Sequence, residues 1–94
     1  MLTEKQRKNV ETRLNRVGGQ INGIRRMIEE DRYCVDVLTQ TAAVTAAIRT
    51  IERIVMKNHL NTCVADAMRS EDVEEQREKV DEVMTLIGRF SKVG

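Results

Sequence analysis

The stretch Val37-Leu38-Thr39-Gln40-Thr41-Ala42-Ala43-Val44-Thr45-Ala46-Ala47-Ile48-Arg49-Thr50-Ile51-Glu52-Arg53-Ile54-Val55 decides the fold. Within it Val37, Thr41, Val44, Ile48, Ile51 and Val55 recur at alternating spacings of four and three, the repeat of one face of a helix. Neither proline nor glycine interrupts the run. Ala42, Ala43, Ala46 and Ala47 near its middle let a second helix approach closely. The pattern predicts one long helix that continues to about Met68.

Upstream, Val10, Leu14, Val17, Ile21, Ile24 and Ile28 repeat the same alternation and predict a first helix. Gly18, Gly19 and Gly23 interrupt that helix, each costing about 1 kcal/mol relative to alanine. The expected return is close approach by another backbone. After Glu29 and Glu30, Asp31 is expected to cap the long helix. Downstream, Ser70 is expected to cap a third helix, with Glu71 and Asp72 in a first turn where the helix dipole favours negative charge. Val73, Val80, Val83, Met84, Ile87 and Phe90 are its expected buried stripe.

Composition narrows the class further. The chain has 94 residues, one domain's worth, so residues 1–94 are expected to form a single domain. Proline is absent and Tyr33 and Phe90 are the only aromatic residues, which argues against a compact sheet core. An all-α chain of three helices, the central one long, is the expectation. So few bulky side chains make a thin core, and assembly with further copies is the natural remedy. No apolar run approaches the roughly 18 residues of a membrane-spanning helix, and no signal-peptide core follows the N-terminus. A cytoplasmic chain with no membrane partner is expected.

The net charge of +1 hides an uneven spread. Met1 to Ile28 carries seven basic residues against two acidic ones, whereas Ser70 to Gly94 carries four against seven. The basic segment is large enough to meet an anionic polymer, although a solvated helix face reads the same way in sequence.

Cys34, His59 and Cys63 are the only cysteines and the only histidine. His59 and Cys63 stand at i and i+4, so on a helix both project from one face and can hold one metal ion. Cys34 lies 25 residues before His59. On a continuous helix it would share that face but stand on the order of 38 Å away. A second chain brings it within reach. In an antiparallel pair of long helices, setting Cys34 opposite the midpoint of His59 and Cys63 puts the two-fold axis between Ala47 and Ile48, within the alanine-rich segment. Two thiolates and one imidazole form a soft three-ligand set that favours Cu(I), whereas structural zinc ordinarily takes four ligands. The blander alternative is a pair of buried helical cysteines. No phosphate loop, Cys-x-x-Cys pair or Ser/His/Asp set is present, so no enzyme is expected.

Three segments resemble the CsoR family of copper-sensing transcriptional repressors. They are Arg13-Leu14-Asn15-Arg16-Val17-Gly18-Gly19-Gln20-Ile21-Asn22-Gly23-Ile24, then Asp31-Arg32-Tyr33-Cys34-Val35-Asp36-Val37-Leu38-Thr39-Gln40, and Asn58-His59-Leu60-Asn61-Thr62-Cys63. The likeness covers about residues 4 to 90, and the Cys…His-x-x-x-Cys order is its most specific part. It implies a cytosolic helical repressor without a helix-turn-helix, a dimer that pairs into a tetramer. Such a repressor holds double-stranded operator DNA in the metal-free form and releases it on Cu(I) binding. Cys34, His59 and Cys63 are then the metal ligands. Arg13, Arg16, Lys8, Arg49 and Arg53 are the expected DNA contacts. Nickel and cobalt sensors of this kind carry further histidines, and formaldehyde sensors an N-terminal proline; this chain has Thr3, one histidine and no proline. Persulfide sensors keep both cysteines without the histidine, and a thiol-based persulfide or redox sensor is the alternative reading. The resemblance also implies that Tyr33 and a glutamate of the third helix support the histidine. Ungapped counting from Cys63 brings Lys79 to that place, with Glu75, Glu78 and Glu82 beside it, and Glu78 is the expected residue.

Overall fold

The computed structural model describes residues 2–91 and, of Cys63, the backbone only. Its elements are α1 (Glu4–Glu29), α2 (Cys34–His59), a π-helical turn (Leu60–Val64), α3 (Ala65–Arg69) and α4 (Val73–Ser91). Among the described residues there is no strand. His59 and Ala65, on either side of the π turn, both keep right-handed helical backbone angles. Helical backbone therefore continues from Cys34 to Arg69, and the fold is all-α with three helical runs, the middle one long. The chain divides into two compact units, one from Leu2 to Val55 and one beginning at Met56.

In the first unit α1 opens with a reciprocal cap. The Thr3 hydroxyl accepts the Gln6 N–H at 3.1 Å, and the Gln6 side-chain oxygen accepts the Thr3 N–H at 2.8 Å. The far end closes in a Schellman motif: Arg32 N–H donates to Met27 O at 2.9 Å and Asp31 N–H to Ile28 O at 3.1 Å. This motif needs a left-handed residue, and Asp31 supplies it with φ 56°. Asp31 therefore ends α1 instead of capping α2. Tyr33 precedes α2, and its carbonyl accepts the Asp36 and Val37 N–H groups at 3.0 and 3.2 Å.

The core of this unit is Val10 and Val17 of α1 with Val44 and Ile51 of α2, and Leu2, Ile24, Ala47 and Ile54 pack on it. The apolar stripes are each split at seven-residue intervals. Val10, Val17 and Ile24 turn inward, whereas Leu14, Ile21 and Ile28 stay exposed. On α2, Val44 and Ile51 are buried while Ile48 and Val55 are exposed. One neighbouring helix covers only half of a stripe this wide. Ala47 faces its own chain's core, but Ala42, Ala43 and Ala46 are exposed. Among the described residues a Cβ added at Gly18, Gly19 or Gly23 would meet nothing within 4 Å, so none of them makes the close approach expected of these glycines.

In the second unit the π turn, α3 and α4 pack together around Ala67, which is 2% exposed. Ser70 ends α3 in extended conformation. Its hydroxyl accepts the Asp72 N–H at 3.1 Å. The cap of α4 is Asp72, not Ser70: its carboxylate accepts the Glu74 N–H at 3.0 Å. The less exposed face of α4 is Gln76, Lys79, Val83, Leu86 and Phe90. Val73, Val80, Met84 and Ile87, expected in the buried stripe, are exposed within the chain.

Candidate metal centre and nucleic-acid interface

His59 is the last residue of α2, and the π turn starts directly after it. A π turn contains one more residue than the α-helical register and is often found at functional sites. The Thr62 hydroxyl donates to the Asn58 carbonyl at 2.8 Å, supplying a local partner where the backbone register changes. Cys63 lies inside this turn, four residues after His59.

The imidazole is partly sheltered, and its Nε2 atom is buried. Nε2 lies 2.9 Å from Glu82 Oε1, within ion-pair distance, although the approach falls outside hydrogen-bond geometry. The other oxygen, Glu82 Oε2, lies 3.4 Å from Lys79 Nζ. The glutamate that meets the histidine is therefore Glu82 and not the expected Glu78. Glu78 stands one turn earlier and about 40° further round α4 from the face turned to the π turn. Glu75 is engaged elsewhere, accepting the Ser70 hydroxyl at 2.9 Å. With Nε2 turned to Glu82, Nδ1 is the imidazole nitrogen left to act as a ligand.

Cys34 is the first residue of α2 and carries an exposed free thiol. Tyr33 beside it is also exposed. Among the described residues, which do not include the Cys63 thiol, no three histidine, cysteine or acidic side chains gather within the chain to hold a metal. The structure brings His59 and Glu82 together. As a donor set, the thiols of Cys34 and Cys63 with the His59 imidazole fit a soft, low-valent cation better than a hard one.

The expected DNA contacts all lie in the first unit. Lys8, Arg13 and Arg16 are on α1, and Arg49 and Arg53 are one turn apart on α2. Lys8, Arg16 and Arg53 are exposed, and among the described residues they take part in no ion pair. Arg13 is half-buried, and its Nε donates to Asn9 Oδ1 at 3.2 Å. Arg49 is likewise half-buried. Exposed guanidinium and ammonium groups such as those of Lys8, Arg16 and Arg53 are the kind that meet the phosphates of a duplex.

A helical chain with a basic first helix and a histidine held beside a cysteine-bearing turn has the makings of a metal-responsive regulator. The family model described as metal-sensitive transcriptional repressor matches residues 6–89, and the chain belongs to that family. It is a regulator and not an enzyme. The chain is 38% identical over 90 residues to the copper-sensing transcriptional repressor CsoR of Bacillus subtilis (strain 168), covering 96% of this chain and 86% of that one. It is 52% identical over 63 residues to the copper-sensing transcriptional repressor RicR of Mycobacterium tuberculosis (strain ATCC 25618 / H37Rv), covering 67% of this chain and 66% of that one. The crystal structure of the copper-sensing repressor CsoR with Cu(I) from Geobacillus thermodenitrificans NG80-2 matches with a TM-score of 0.85 and 35% identity, covering 98% of this chain and 93% of that one.

Proposed function

We propose that this protein is a Cu(I)-responsive repressor that binds operator DNA in its metal-free form and releases it when Cu(I) binds. The observation that carries this reading is the placement of His59: Nε2 faces Glu82 at 2.9 Å, Nδ1 is left as a donor, and Cys63 follows within the π turn. Relatives named as copper-sensing repressors, one with Cu(I) in its crystal structure, support the choice of metal. Cys34, His59 and Cys63 are the ligands, with Cys34 given by one chain and the other two by its partner in an antiparallel dimer. Cu(I), when bound, ties these three side chains together across the dimer. Glu82 orients the imidazole from behind, in the role that sequence reasoning gave to Glu78, and Tyr33 supports the site beside Cys34.

The exposed half of the apolar stripes supports a dimer that pairs into a tetramer. The basic side chains of α1 and α2 hold the phosphates of the operator. The family model spans both compact units, which supports reading residues 1–94 as one functional domain. Among the described residues no helix is long and apolar enough to cross a membrane, and a DNA-binding role supports a cytoplasmic location.

The test is operator binding with and without Cu(I) under strictly reducing conditions. Couplings between two ligands typically run to about 5–150-fold in affinity, so Cu(I) should weaken operator binding within that range. In the variant His59→Ala the two thiols can still hold Cu(I), but release of DNA should be lost. An operator affinity that Cu(I) leaves unchanged, with release by polysulfide instead, would replace the copper reading with the thiol-based one.

A further inference from the structure

The two oxygens of the Glu82 carboxylate are divided between two partners. Oε1 lies 2.9 Å from His59 Nε2 and Oε2 lies 3.4 Å from Lys79 Nζ. Lys79 stands three residues before Glu82 on α4, on the less exposed face with Gln76, Val83 and Leu86. Glu82 alone is a poor support for a ring. Its side chain is 43% exposed, and holding all its rotatable bonds in one geometry opposes conformational entropy. A cation fixed to its second oxygen removes much of that freedom. An ammonium can do this where a second carboxylate could not, because like charges would drive Glu82 away from the imidazole.

We propose that Lys79 is a positioning residue: by holding Glu82 Oε2 it keeps Oε1 against His59 Nε2 and so fixes the ring with Nδ1 presented as the ligand atom. The lysine that ungapped counting places behind the site thus acts through the neighbouring glutamate. This deepens the Cu(I) reading and rests on it for one of its two readouts. The other is taken on the metal-free protein.

The experiment compares the full-length parent with Lys79→Gln and Lys79→Arg. In the metal-free proteins, 15N spectra of the His59 ring report which nitrogen carries the proton. The parent should show one dominant tautomer with the proton on Nε2. Lys79→Gln should show a mixture, and Lys79→Arg should restore the parent pattern because it keeps the charge. Chelator competition should then find Cu(I) binding by Lys79→Gln weaker by about two- to fivefold, the range of a partly exposed ion pair, with recovery in Lys79→Arg. Circular dichroism checks that helix content is unchanged. Identical ring spectra in Lys79→Gln and the parent would overturn the proposal. So would a Lys79→Arg protein that behaves like Lys79→Gln, since the role would then lie in lysine packing and not in its charge. Should the parent fail to bind Cu(I), the copper reading falls while the ring spectra still decide the role of Lys79.

Discussion

The triple variant Gly18→Ala, Gly19→Ala, Gly23→Ala is expected to stabilise the single chain and to damage what the chain does with other molecules. Each glycine lies inside α1, where alanine is more favourable by about 0.8–1.0 kcal/mol, so the three together withhold about 2.4–3 kcal/mol from that helix. Nothing among the described residues offsets this, because an added Cβ at any of the three meets no atom of theirs within 4 Å. The offset must come from outside the chain, from a second backbone or a phosphate strand that approaches α1 closely. Thermal unfolding over a dilution series, extrapolated to low concentration, reads the first effect. At about 4–8 °C per kcal/mol for a domain of this size, each substitution should raise the midpoint by several degrees. Sedimentation and operator titration read the second, and one of them should weaken by tenfold or more. A triple variant that is more stable and also assembles and binds DNA like the parent would refute the reasoning.

Three shorter expectations follow from the same geometry. Ile48 is 40% exposed, so completing its burial against a partner contributes about 0.6–1.2 kcal/mol per chain. Ile48→Glu should therefore weaken dimerisation about tenfold or more in sedimentation while helix content is kept, and an unchanged dimer would remove this face from the interface. Asp31→Gly, at a left-handed position, should raise stability by about 0.5 kcal/mol in urea titration, and a loss would show that the aspartate side chain contributes more than its backbone strain removes. Arg13→Ala should lower operator affinity and reduce the log–log salt slope by about 0.9, the share of one phosphate; an unchanged slope would take Arg13 out of the interface.

The helices were legible because hydrophobic spacing reports directly on which residues share a face, and spacings of four and three occur at Val10 to Ile28 and again at Val37 to Val55. The ends were less legible. Asp31 suits both an N-cap and a left-handed helix end, and only the hydrogen bonds to Met27 and Ile28 separate the two. Asp72 and Ser70 are both good caps, and the backbone path between α3 and α4 chose Asp72. At the site, the spacing of His59 and Cys63 was visible, and Glu82 stood among three candidate acids of which Glu78 was the one expected. Which acid of α4 meets the histidine depends on the rotation of one helix about its axis against another, which counting along the chain does not determine. Lys79 and Glu82 stand at i and i+3, but Glu75 lies at i−4 from the same lysine, so spacing alone does not select the ion pair. The Thr-x-x-Gln signature of the Thr3 cap was present in the sequence as well, and hydrophobic spacing alone passed over it.

The seven-residue split of α1 has a consequence for how such repressors diverge. Val10, Val17 and Ile24 hold the hairpin together, while Leu14, Ile21 and Ile28 contribute nothing to its core. The two sets interleave on one helix yet share no position. After a gene duplication the outward set can change its pattern of large and small side chains while the inward set keeps the same hairpin. Discrimination between partners is a difference of affinities, so a few mismatched contacts in that outward set suffice to stop two sister repressors from forming mixed assemblies. Separate lineages of sensors can thus arise within one cell without any new fold.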